Sequence, residues 1–166
     1  MAFDIQQLVL KAKEYLDIWY DDGHVLYEQV LPNICYSKTV DGELSIDILE
    51  PLQATFSQKL FELIRKKGVS ETECYKRANL DRRLFSKIRS DDEYQPKKNT
   101  VFALIFSLKL NLKDAEDLLE AAGYSISHSL KKDVIIEFLI KNHVYDIFTV
   151  NEVLHKFRCS LIGNVG

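Results

Sequence analysis

The residues that most constrain this chain are the helix stops and starts crowded between Pro51 and Gly123. Phe56, Leu60, Leu63 and Ile64 recur at three and four residues, so they share one face of a helix expected over about Leu52 to Lys67. Gly68 follows as the C′ residue, because glycine enters the left-handed conformation that ends helices without steric cost. Ser70-x-x-Glu73 is a capping box, so a second helix starts at once and runs to about Ala78. Asp81 is the expected N-cap of a third, Arg82 to Arg89. After the polar loop SDDEYQP, a fourth helix is expected near Lys97 to Leu110, and Asn111-x-x-Asp114 caps a fifth that stops at Gly123. Five short helices joined this tightly make the chain mainly α.

Further helices follow. Residues Ser129 to Asn142 form an expected sixth, with Val134, Ile135, Ile136, Phe138, Leu139 and Ile140 apolar nearly all round; such a helix must be covered on most sides, either closing the core or meeting a second copy. Thr149-x-x-Glu152 is the expected cap of a last helix, with Val150, Val153, Leu154 and Phe157 inward. At the front, Ile5, Leu8, Val9, Ala12, Leu16 and Trp19 predict an amphipathic helix from about Asp4 to Tyr20. Then ICYSKTV and ELSIDIL alternate on either side of Asp41-Gly42, a turn pair suited to a type I′ hairpin, so a β-hairpin is expected there. These divisions suggest an N-terminal helix and hairpin unit (1–50), a five-helix domain (51–124) and a C-terminal helical extension packed on it (125–166).

Charge divides along the same lines. Residues 1–50 carry ten acids against three bases, and residues 61–100 carry eleven bases against seven acids, within an overall net charge of −3. A basic window inside an acidic protein points to nucleic acid more strongly than the overall acidity argues against it. The apolar runs are all too short to span a bilayer, and the opening MAFDIQQLVLKAKEYL has an acid near its front and polar residues throughout, unlike a secretory signal. The expected address is cytoplasmic. Three scattered cysteines, Cys35, Cys74 and Cys159, support neither a disulfide framework nor a zinc cluster.

The stretch SETECYKRANLDRRLFSKIRS concentrates the functional information. On its second helix Leu84, Phe85 and Ile88 share an inward face, which turns Arg82, Arg83, Ser86, Lys87 and Arg89 outward. Arg82 and Arg83 suit guanine edges or phosphates and Lys87 a phosphate, while Lys97 and Lys98 beyond the loop suit a flanking backbone. The free N–H groups at the helix start, behind Asp81, are a further candidate for phosphate. Five such cations, each neutralising one phosphate, would give a salt slope of about −4 to −5.

In order and spacing, residues 56–122 resemble the helix-turn-helix domain of the Cro/CI-type (XRE-like, lambda-repressor-like) repressors. The resemblance rests on KKGVS closing an amphipathic helix, on the unit just quoted, and on VFALIFSLKLNLKDAEDLL as the closing helix pair. It implies a lambda-repressor-like five-helix domain, with two extra C-terminal helices and the N-terminal helix and hairpin added. It also implies a bacterial or phage-borne, sequence-specific regulator of transcription, in which Arg82 to Arg89 enters the major groove of double-stranded DNA. One short recognition helix reads few base pairs, so a homodimer is expected. The chain departs from the family pattern at three positions. Glu71 stands where a DNA-touching glutamine is usual, Tyr75 where a small elbow residue is usual, and Asn79 where the turn glycine is usual. Asn tolerates the left-handed conformation. Tyr75 predicts either splayed helices or a ring turned outward.

The alternative reading is an interaction adaptor: the same module binds a protein, and the acidic N-terminal unit recruits a basic partner or covers the basic face. Catalysis finds little footing in the sequence, which lacks a phosphate-binding glycine loop, a GxSxG elbow and an HExxH helix. His155 and Cys159 lie one turn apart, too few ligands for a metal, and no cofactor is expected. Cys74 faces the small core by its spacing to Val69 and Ala78, and Tyr94 is the one aromatic expected to be exposed for base stacking.

Overall fold

The computed structural model describes residues 5–19, 54–91 and 93–163, and among these the chain is helical, with eight helices and no strand. They are α1 (Ile5–Trp19), α2 (Phe56–Lys67), α3 (Glu71–Arg77), α4 (Arg82–Ser90), α5 (Lys98–Ser107), α6 (Leu112–Ala121), α7 (Lys131–Lys141) and α8 (Ile147–Lys156). The hairpin expected around Asp41-Gly42 lies outside the described residues. No helix among them is long and apolar enough to cross a membrane.

Caps set the element boundaries. Thr55 and Gln58 form a reciprocal capping box ahead of α2, a Thr-x-x-Gln signal that places its start at Phe56 rather than Leu52. Ser70 accepts from the Glu73 N–H, Asp81 from the Arg83 N–H and Asn111 from the Asp114 N–H, as the sequence predicts, but the Glu73 side chain pairs with Arg77 and does not close the expected capping box. For α8 the expected Thr149 cap is wrong. Asp146 is the N-cap, accepting from both the N–H and the hydroxyl of Thr149, and the earlier start brings Ile147 into the core.

Six helices end in one motif. At Gly68, Asn79, Lys109, Gly123, His143 and Arg158 the chain turns left-handed, and the next residue donates its N–H back to the final turn. Leu80 N–H to the Tyr75 carbonyl (2.9 Å) and Leu110 N–H to the Ile105 carbonyl (3.1 Å) are examples. The donor residue is apolar and buried or half-buried each time: Val69, Leu80, Leu110, Tyr124, Val144 and Cys159. Each helix is thus closed by a polar bond on the backbone and an apolar side chain tucked under it.

One continuous core runs from Leu8 on α1 to Ile162 beyond α8. Two helices lie at its centre. Residues 101–107 of α5 are all buried, among α3, α6 and α8, and residues 133–140 of α7 are all buried, among α1, α6 and α8. The six large apolar side chains of α7 contribute on the order of 10 kcal/mol as an upper estimate, comparable with the whole stability of a domain. Of the two roles open to α7 in the sequence, closing the core is the one the structure shows; its apolar surface is spent inside the molecule and is not left for a second copy.

Two acids enter this interior, both on α7 and both paired. Asp133 meets the Lys98 ammonium and accepts the Ser127 N–H at 2.9 Å, which ties α5 to α7. Glu137 accepts from Lys141 at 2.6 Å and faces His128 Nε2 at 2.7 Å. Burial acts to raise the Glu137 carboxyl, but these two hydrogen bonds outweigh it and hold the group below its ordinary range.

Candidate nucleic-acid interface

The α3–α4 pair begins with a seven-residue helix that stops where Asn79 turns left-handed (φ 50°). Asn79 donates its N–H to the Lys76 carbonyl, and Leu80 drops into the core, so α4 leaves the turn on a fixed path. Ile162 and Gly163 brace the turn from behind. Asn151 holds both the N–H (2.9 Å) and the carbonyl (3.0 Å) of Ile162, and Gly163 (φ 78°) passes so close that an added Cβ would lie 2.8 Å from the Ala78 carbonyl oxygen.

Helix α4 is held by its apolar stripe. Phe85 and Ile88 are buried and Leu84 is half-buried, whereas Arg82, Arg83, Ser86, Lys87 and Arg89 are exposed. Phe85 takes the edge of Phe61 from α2 (centroids 5.8 Å apart, 85° between planes) and the ring of Tyr75 from α3 (5.7 Å). Tyr75 is therefore half-buried against the core, with its ring between α3 and α4, so of the two expected arrangements, splayed helices or an outward ring, the outward ring does not hold. The Ser57 hydroxyl, in the first turn of α2, donates to the Ile88 carbonyl at 2.8 Å, in the last turn of α4. That bond links residues 31 apart in sequence, and no local pattern announces it.

The seven predicted site residues fall into two groups. Arg82, Arg83, Ser86, Lys87 and Lys97 are exposed, and their cations form no ion pair among the described residues; Lys87 lies 4.8 Å over the Tyr94 ring, which is half-buried rather than exposed. Arg89 and Lys98 are engaged. The Arg89 guanidinium pairs with Glu71 and sits 5.9 Å from the Phe61 centroid, so it ties the end of α4 to the start of α3. Lys98 pairs with the buried Asp133 and lies 5.5 Å over Phe102, which makes it part of the α5–α7 joint.

Electrostatics at the helix start also differ from the sequence reading. The Asp81 carboxylate takes the Arg83 N–H at 2.6 Å, so the N-terminus of α4 already holds an anion of the chain's own. The acids of α3 are answered as well, Glu71 by Arg89 and Glu73 by Arg77. Two clefts flank the Glu71–Arg89 pair. One of about 470 Å³ opens toward Ser57, Phe61 and Arg65, and one of about 300 Å³ toward Thr72, Tyr75, Arg82 and Ser86.

Elsewhere, several titratable groups are tied into the packing. Cys74 is fully buried, its carbonyl accepts from the Ser107 hydroxyl at 2.6 Å, and burial pushes its thiol up to about 11. Lys132 donates to Asn99 Oδ1 (2.7 Å) and Ser160 Oγ (3.0 Å), and burial brings its ammonium down to about 8. His155 is exposed at the end of α8, the Cys159 thiol is raised by burial, and no group of three or more His, Cys, Asp or Glu gathers among the described residues. Comparison of the chain with protein-family models, with curated proteins and with solved structures found no match in any of the three.

Proposed function

We propose that α3 and α4 act as a helix-turn-helix of the Cro/CI type, and that the protein is a sequence-specific DNA-binding regulator of transcription. The observation that carries the reading is the outer face of α4. Arg82, Arg83, Ser86 and Lys87 stand in solvent on a helix whose opposite face is locked to α2 and α3 by Phe85, Ile88 and the Ser57 hydroxyl. A helix presented in this way meets the requirement of groove reading, which is rigid display of a few donors spaced along one face. Arg82 and Arg83 are assigned to base edges or adjacent phosphates, Ser86 to a base or phosphate oxygen, and Lys87 and Lys97 to the backbone. Arg89 and Lys98 leave the set of direct contacts and become supports.

The protein acts as a homodimer on two half-sites about 34–36 Å apart, since a single short helix reads too few base pairs. The contact between copies uses a surface other than that of α7, which the core occupies. The rival reading, an adaptor that binds a protein through the same module, draws support from the same two engaged cations, because Arg89 and Lys98 shrink the basic face.

Selection of duplexes from a random pool separates the two. The regulator reading expects an enriched palindromic sequence, and expects Arg82→Ala/Arg83→Ala to relax or abolish the enrichment. A pool that stays random with the wild-type protein contradicts it.

A further inference from the structure

A second groove takes no lining residue from α4. It is a groove of about 500 Å³ where the C-terminal ends of α3, α5 and α7 meet the start of α8. Its floor is aromatic. Tyr145 is half-buried there, with its hydroxyl donating to the Leu110 carbonyl at 3.0 Å, and Phe106 lies 6.5 Å away, centroid to centroid. Phe148 stands on the rim and is 74% exposed, the most exposed of the large apolar side chains described. A side chain of this kind at a cleft edge offers an anchor to a bound chain.

The rim is basic. Lys76 and Lys109 are exposed and form no ion pair among the described residues, and His143 reaches across to the Tyr145 hydroxyl at 3.3 Å. Arg77 is also present, paired with Glu73, and the one acid of the lining, Asp146, is occupied in capping α8.

Backbone strain converges on the same place. Four non-glycine residues have positive φ among the described residues, and three of them, Asn79, Lys109 and His143, line this groove. Glycine fills the equivalent position at the ends of α2 and α6, and Arg158, at the end of α8, is left-handed without lining this groove. Left-handed lysine and histidine cost stability that glycine avoids.

We propose that this groove binds an acidic peptide segment of a partner protein, with one apolar side chain of the segment packed on Phe148 and Tyr145 and its carboxylates on Lys76, Lys109 and His143. Charge complementarity with the exposed Lys76 and Lys109 ammoniums selects the acidic partner. The proposal does not depend on DNA binding by α4.

The test uses the full chain and a short dye-labelled peptide of Asp, Glu and Phe, titrated by fluorescence anisotropy. Phe148→Ser and Lys76→Glu should each weaken binding about tenfold, the scale of one lost anchor or one reversed charge. Lys109→Gly removes a rim charge and relieves strain, so it should weaken binding while raising Tm, a combination that loss of fold cannot produce. Arg158→Gly, which relieves the same strain outside the groove, should raise Tm and leave binding unchanged. Three results would overturn the proposal. The first is equal binding of a peptide lacking Phe, the second is equal loss of binding with Arg82→Glu/Arg83→Glu, and the third is unaltered binding with Phe148→Ser and Lys109→Gly.

Discussion

Lys109, His143 and Arg158 hold positive φ values that glycine would adopt without a clash. Replacing Lys109 by glycine should raise stability by about 1 kcal/mol, read by chemical denaturation, whereas Gly68→Ala should lower it by about the same amount. Gly68 and Gly123 were legible as helix ends because glycine favours this conformation, and Asn79 because Asn tolerates it. The other three were not, because nothing in a cationic or imidazole side chain signals a left-handed turn. What decides there is the apolar residue that follows, Leu110, Val144 or Cys159, which is drawn under the helix end. Lys98 shows the same limit on reading a residue alone. Its position beside Lys97 suggests a DNA contact, but its ammonium is spent on buried Asp133. Lys98→Met should therefore cost about 3 kcal/mol by leaving that carboxylate unpaired, and should leave the salt slope of DNA binding unchanged.

Among the elements, α3 and α4 were the most legible, because Ser70, Asp81 and Asn79 each act through bonds local to the chain. How α4 is held was not legible, since Ser57, Phe61 and Tyr75 reach it across the fold. Phe85→Ala should cost about 3–5 kcal/mol, because the ring is 2% exposed and fills the space between α2 and α3. Arg82→Ala/Arg83→Ala should move stability by no more than about 0.5 kcal/mol, both side chains being exposed. Thermal melts of the two variants test the division between holding and reading. On α7, Glu137 has its carboxyl held below the ordinary range by Lys141 and His128. The unfolded state then binds that proton more readily, so its contribution to stability is present above about pH 4.3 and lost as the pH falls through the folded value. Glu137→Gln should flatten the acid limb of Tm against pH; an unchanged limb would place the acid sensitivity elsewhere.

The whole molecule couples what the sequence divides. The charge pattern separates an acidic front from a basic middle, and a test of masking would remove the front at Pro51 and look for tighter DNA binding. Yet Leu8 and Ala12 of α1 are buried, and α1 rests on α7 and α8, so that cut also bares apolar surface. Neutralising the acids in place, with Asp21→Asn, Asp22→Asn and Glu28→Gln, keeps α1 seated; tighter DNA binding at low salt is expected if the front half screens the basic face. This long-range docking was invisible in the sequence, because amphipathic spacing shows that a helix has an inner face without showing which helix it meets. The central claim, that α4 contacts DNA through its free cations, is tested most directly by titrating a selected duplex at several salt concentrations. Four cations, Arg82, Arg83, Lys87 and Lys97, remain unpaired among the described residues, and they predict a slope of log K against log salt of about −3 to −4. Arg82→Ala/Arg83→Ala should reduce it by about 1 for each arginine that sits on a phosphate and relax the sequence preference for each that sits on a base edge. No binding at low salt, or a double variant that matches the wild type in both slope and sequence preference, would contradict the account.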